Sequence, residues 1–114
     1  MRVLALGGSG GMGRFAVETS MQFKNISKIF VADINADAAI AFSNTMNEKV
    51  SGFGLDVTDS DALRKAMEDA DVVINTVGPF FKYGPPILEA AIETGCHYLD
   101  INDDWEPTLE MLKF

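Results

Sequence analysis

Two hydrophobic rhythms alternate along the chain. Val3-Leu4-Ala5-Leu6 is a continuous apolar run, as expected of a strand buried on both faces, and it predicts a strand over residues 2–6. A glycine cluster follows, and Met12, Phe15, Ala16 and Val17 then recur at helical spacing, which predicts a helix over 11–22 with these four as its apolar face. Ile29-Phe30-Val31-Ala32 ends in Asp33 and predicts a second strand over 28–33. Asn35 is placed to cap an alanine-rich helix over 36–47. A third strand, 50–55, is weakened by Ser51 and two glycines. Asp59 is placed to cap a helix over 60–69, with Leu63, Ala66 and Met67 toward the sheet.

Residues 71–76 form a near-continuous apolar run and predict a fourth strand. After a loop over 77–84, Pro85 and Pro86 are expected to start a helix reaching Thr94, with Gly95 as its C-terminal cap. Residues 97–101 predict a fifth strand and 102–105 a loop. Pro107 opens a last helical pattern with Leu109, Met111 and Leu112.

Strict alternation of this kind predicts an α/β domain, a Rossmann-type doubly wound parallel sheet joined by right-handed crossovers. About five strands in the order 3-2-1-4-5 are expected, with a ligand crevice at the carboxyl ends of strands one and four, where the order reverses. No repeat, linker or low-complexity stretch divides the 114 residues, so 1–114 reads as one domain.

Candidate chemistry gathers at the strand ends. Gly8-Ser9-Gly10-Gly11-Met12-Gly13 fits G-x-G-x-x-G directly between a strand and a helix, and Asp33 lies about 20 residues past Gly13. In that pattern Gly8 permits the turn, Gly10 lets a pyrophosphate approach the backbone, and Gly13 lets the helix lie close on the sheet. The amides and dipole at the helix start favour phosphate charge. The alternative is a plain glycine turn. Asp33 can accept from a ribose diol and repels a 2′-phosphate. No arginine stands in Ile34-Asn35-Ala36, so NAD is expected as cofactor in preference to NADP.

Asp56 with Val57 follows strand three and either meets adenine or only builds a turn or caps the next helix. Asn75-Thr76-Val77-Gly78-Pro79-Phe80 follows strand four, where a nicotinamide half would lie; a rigid strand-to-helix turn is the equal alternative for any one residue. Phe80, Phe81 and Tyr83 either wall a pocket or meet a second domain. Asp100, Asn102, Asp103 and Asp104 form an acidic rim, suited to an amine substrate or simply solvated. His97 begins strand five, away from the crevice, and reads as structural; Cys96 reads as a small buried hydrophobe. No Tyr-x-x-x-Lys pair occurs, which argues against a short-chain dehydrogenase site, and no catalytic acid–base group is assigned.

Composition narrows the partners. A net charge of −8 argues against a nucleic-acid partner. One cysteine excludes an internal disulfide, and without a Cys/His cluster no metal site is expected. Met1-Arg2 runs straight into the first strand and no apolar run approaches membrane-spanning length, so a cytoplasmic protein without a membrane partner is expected. The last helix and the aromatic loop offer apolar surface suited to a homodimer or a domain contact.

Several of these segments together resemble the N-terminal domain of saccharopine dehydrogenase-like oxidoreductases. They are Gly7 to Arg14, Val31-Ala32-Asp33, Leu55 to Asp59, Asp71 to Phe80, Tyr83-Gly84-Pro85-Pro86 and Ala90 to Asp100. The resemblance covers nearly the whole chain, and its Asn-Thr-Val-Gly-Pro-Phe and Gly-Cys-His-Tyr-Leu-Asp segments are its more specific parts. It implies hydride transfer at the C–N bond of an amine or amino-acid substrate, with a nicotinamide dinucleotide as hydride carrier. It places Gly8, Gly10, Gly11 and Met12 at the pyrophosphate and Asp33 at the ribose. Asp56 and Val57 fall at adenine, and Val77, Gly78 and Pro79 near the nicotinamide ribose, with Thr76 beside them in the loop after strand four. Asp33 stands where NADP-preferring members carry arginine, and the substrate domain of full members has no counterpart here. A nucleotide-sensing module without catalysis is the second reading. An S-adenosylmethionine-binding domain is the third, disfavoured by Gly13 and the Gly-Pro loop.

Overall fold

Arg2–Leu6 forms β1, the middle strand, and all of Val3 to Leu6 is buried. The computed structural model describes residues 1–8, 10–77, 80–100 and 112. In chain order, β1 is followed by α1 (Gly11–Ser20), β2 (Lys28–Asp33), α2 (Ala36–Asn44) and β3 (Val50–Gly54). Then come α3 (Ser60–Glu68), β4 (Val72–Asn75), α4 (Phe80–Thr94) and β5 (His97–Asp100). The five strands are parallel in the order β3-β2-β1-β4-β5. This is the predicted doubly wound sheet.

Alternate residues of each strand feed two cores. Val3, Ala5, Ile29, Val31, Val50 and Val72 face α1 and α2, where Val17, Ala39 and Phe42 meet them. Leu4, Leu6, Ala32 and Val73 face α3 and α4, where Leu63, Met67, Ile87, Ala90 and Ala91 close the layer. Burying Leu63 and Met67 contributes about 1.5–3 kcal/mol each and pins α3 to the sheet. Both predicted caps form: Asn35 Oδ1 accepts from the Ala38 amide at 3.0 Å and Asp59 Oδ1 from the Ala62 amide at 3.2 Å. Gly95 ends α4 with φ +74°, as its role as C-terminal cap requires.

Three expectations are corrected. The inward face of α1 is Gly13, Val17 and Ser20, while Met12 and Phe15 are 59% and 66% exposed. The contact of Gly13 with the preceding turn sets the helix rotation and leaves those two side chains outside. Helix α4 begins at Phe80, so Pro85 and Pro86 lie inside it. Proline's fixed φ is already helical, and the missing N–H groups leave only the carbonyls of residues 81 and 82 without an i+4 donor. Helices α1 and α2 end two and three residues before the expected 22 and 47. Residue 101 of the fifth strand, the loop over 102–105 and the helical pattern from Pro107 lie outside the described residues, Leu112 apart.

Candidate dinucleotide-binding crevice

At the carboxyl end of β1 the backbone turns at Gly7, whose φ is +74°. Its amide donates to the Ala32 carbonyl at 2.8 Å, tying the turn to β2. The turn off β1, expected at Gly8, is therefore made at Gly7. Gly8 is needed for space: a Cβ there would lie 2.9 Å from Val31 Cγ1. Gly13 is needed more strongly, since a Cβ would lie 2.0 Å from the Gly7 carbonyl oxygen. Gly10 and Gly11 differ. The nearest atom to a Cβ at Gly10 would be 3.4 Å away, and at Gly11 nothing lies within 4 Å. Gly10 caps α1 with extended backbone and no side-chain acceptor, and the first turn holds no acidic residue. Among the described residues, the cap and first turn of α1 thus carry no carboxylate or hydroxyl of their own. Ser9 lies outside the described residues.

A cleft of about 320 Å³ opens beside this turn, across the strand ends. Gly7 and Gly10 line one end, Asp33 and Ile34 come from β2, and Asp56 and Val57 follow β3. Thr76, Val77 and Tyr83 line the side toward β4 and α4. Asp33 Oδ1 accepts from the Asn35 amide at 3.2 Å, which orients the carboxylate at the rim. Ile34 beside it is 76% exposed.

Asp56 builds a turn: its Oδ1 accepts from the Thr58 amide at 2.9 Å and the Thr58 hydroxyl at 2.6 Å. Those two bonds, the hydroxyl first, hold its carboxyl below the usual carboxylate range. The cap of α3 falls to Asp59, so of the open readings for Asp56 the helix cap is removed, while its carboxylate still borders the cleft.

Beyond β4, the Thr76 hydroxyl donates to the Leu6 carbonyl at 2.8 Å, stitching the two loops together. Asn75 is fully buried, and its Oδ1 accepts from the Val77 amide at 2.9 Å. Its Nδ2 donates to the Tyr98 hydroxyl at 3.0 Å, which donates to Asp100 Oδ2 at 2.7 Å. Burial pushes the Tyr98 phenol well above its ordinary value; of the smaller influences Asn75 lowers it and Asp100 raises it. Gly78 and Pro79 lie outside the described residues. The crevice thus brings together Gly10, Asp33, Asp56, Val57, Thr76 and Val77 of the predicted set, with Gly11 and Met12 on the first turn of α1.

Tyr83 lines the cleft, as one of its two sequence readings expected, whereas sequence reasoning passed over Gly7 and Tyr98 as site residues and gave Asn75 no role of its own. For Gly7 the signal was its place directly after the apolar run. For Asn75 it was a polar residue closing an otherwise apolar strand. His97 is exposed at the opposite edge of the sheet, its amide bonded to the Asp71 carbonyl. Cys96 is buried, and burial first, then the Asp71 charge, raises its thiol. A groove of about 370 Å³ between Phe30, Phe53 and α3 is larger than the crevice but lies along a sheet face, away from the glycine turn.

A parallel sheet reversing at β1 and β4, with a glycine turn and an acid across a cleft at that reversal, defines the Rossmann class of dinucleotide-binding domains. Residues 3–111 match the family model described as the saccharopine dehydrogenase NADP binding domain, and the chain belongs to that family. A saccharopine dehydrogenase-like oxidoreductase of Arabidopsis thaliana is 28% identical over 116 aligned residues, covering 91% of this chain and 26% of the relative. An uncharacterized membrane protein of Methanocaldococcus jannaschii is 36% identical over 88 residues, covering 73% of this chain and 26% of the relative. Among solved structures, apo saccharopine dehydrogenase (L-Glu forming) of Saccharomyces cerevisiae superposes with a TM-score of 0.82 at 27% identity, over 96% of this chain and 23% of that one. The chain spans about a quarter of the length of these relatives. No described helix is long and apolar enough to cross a membrane.

Proposed function

We propose that residues 1–114 act as one cofactor domain that binds NAD, serving an oxidoreductase that transfers a hydride at a C–N bond of an amine or amino acid. The observation that carries the binding reading is the uncapped start of α1. Gly10 and Gly11 stand there although the protein's own packing leaves room for a side chain. A diphosphate laid on the amides of residues 11–13 would use that room and complement the helix dipole. Asp33, at the rim of the same cleft, would take the adenosine ribose hydroxyls, and Asp56 with Val57 the adenine edge. Thr76 and Val77, with Gly78 and Pro79, would flank the nicotinamide ribose. When bound, the nicotinamide ring supplies the hydride chemistry. This chain's residues hold and orient it, and a second domain would hold the substrate.

The family description names NADP, yet a carboxylate at Asp33 disfavours a 2′-phosphate by charge. We therefore read the preference as NAD. The test is fluorescence titration of NADH and NADPH against the unaltered chain and Asp33→Ala. The unaltered chain is expected to bind NADH more tightly. Asp33→Ala is expected to weaken NADH about tenfold, a charge-assisted hydrogen bond's worth, and to narrow the gap to NADPH. Equal NADH affinity in both proteins would remove Asp33 from the ribose site.

A further inference from the structure

Strand β4 is apolar until its last residue. Val72, Val73 and Ile74 are followed by Asn75, whose side chain has no exposure. A buried amide left unpaired is destabilising, and here both ends are paired. The pairing has a fixed polarity. The Asp100 carboxylate only accepts, so the Tyr98 hydroxyl donates to it at 2.7 Å. The same hydroxyl accepts from Asn75 Nδ2 at 3.0 Å. The Asn75 oxygen is thereby turned to the Val77 amide, which it meets at 2.9 Å. The register puts this chain of bonds at the crevice edge, with Asn75 opposite Leu6 on one side and Asp100 on the other.

Strand pairing alone already joins β4 to β5, so the side-chain bonds are not needed for the ladder. They reach one residue past it: Val77, which lines the cleft. We propose that Asn75 and Tyr98 are positioning residues for the nicotinamide half of the dinucleotide, holding the backbone at Val77 in the place that half requires. This rests on the NAD reading above. Thr76 is fixed separately to the Leu6 carbonyl, so the two residues after β4 are held from opposite sides of the strand. Burial raises the pKa of the Tyr98 phenol, which keeps its proton in place for the donation to Asp100.

The test is Tyr98→Phe, which keeps the ring and removes only the hydroxyl. Affinity is compared for NADH and for ADP, which carries the adenosine and diphosphate but no nicotinamide. NADH affinity is expected to fall about tenfold and ADP affinity to change by less than about twofold. Exchange of the Val77 amide, followed by NMR, is expected to quicken. Asp100→Asn keeps an acceptor for the phenol and is expected to hold NADH affinity within about threefold of the unaltered chain. Asp100→Ala should reproduce Tyr98→Phe and replaces it if the latter does not fold. Equal losses for NADH and ADP, or no loss in a folded variant, overturn the proposal. Failure of the unaltered chain to bind NADH removes the cofactor reading instead; unchanged Val77 exchange in Tyr98→Phe would then still refute the positioning role.

Discussion

Gly11 and Gly13 occupy one turn of one helix and answer to different constraints. At Gly13 a methyl group would meet the Gly7 oxygen at 2.0 Å, so Gly13→Ala must push α1 off the sheet. It is expected to destabilise the fold by about 2–4 kcal/mol, read as a lowered thermal midpoint. At Gly11 a methyl group meets nothing, so Gly11→Ala is expected to keep or slightly raise stability, by up to about 1 kcal/mol. On the proposed function the same methyl intrudes on the diphosphate, so NADH binding should fall at least about tenfold. Unchanged NADH affinity in Gly11→Ala would move the diphosphate away from this turn. Spacing alone made the glycines, Asp33 and Thr76 legible as a set. It did not separate their roles, because one-letter identity carries neither φ nor the distance to a neighbouring carbonyl. Hence the turn falls at Gly7 instead of Gly8, and Asp56 is drawn into an Asx turn with Thr58.

Between elements, most boundaries were readable from caps. Asn35 and Asp59 each precede an apolar pattern and each accepts the expected amide. Asn35→Ala should cost about 1 kcal/mol in a urea melt. What periodicity misjudged was orientation. Met12 and Phe15 have helical spacing with Val17, yet the helix is rotated by its contact at Gly13, and only neighbours in space report that. The glycines of β3 read as weakness in a strand; instead they admit α2. A Cβ at Gly52 would lie 2.3 Å from the Ala39 carbonyl oxygen, and one at Gly54 2.8 Å from Ala36 Cβ. Gly52→Val is accordingly expected to destabilise by about 2 kcal/mol or more, measured by urea unfolding, with loss concentrated in amide protection of α2 and β3. The start of α4 was obscured because proline marks both a first turn and a tolerated interior position. Across the α3–α4 seam, Arg64 Nε bonds Glu93 Oε2 at 2.7 Å, an exposed pair worth about 0.2–1 kcal/mol.

For the molecule as a whole, strand order was readable because right-handed crossovers leave few alternatives to alternating strands and helices. Its response to alkaline pH follows from two weak acids, Cys96 buried and Tyr98 partly buried. Cys96 and Tyr98 both have folded values raised above their ordinary 9.0 and 10.0, burial being the larger cause in each. The unfolded chain therefore loses those protons first. Stability is complete below about pH 9 and falls as pH rises past it. Thermal midpoints taken from neutral pH to about pH 10 should show that decline, and Cys96→Ala should soften its onset. On the acid side Asp56 works in the opposite sense: its contribution is present above the ordinary 3.8 and disappears as pH falls through its lowered value. The central place of β1 has a further consequence for biosynthesis. Val3 pairs with Ile29 on one flank and with Val72 on the other. A ribosome releases the first strand early, but its second neighbour leaves the exit tunnel only after most of the domain has been translated. Until then an apolar strand that the finished fold buries keeps a raw edge, so nascent chains stalled before residue 72 should engage chaperones while those stalled well beyond β5 should not.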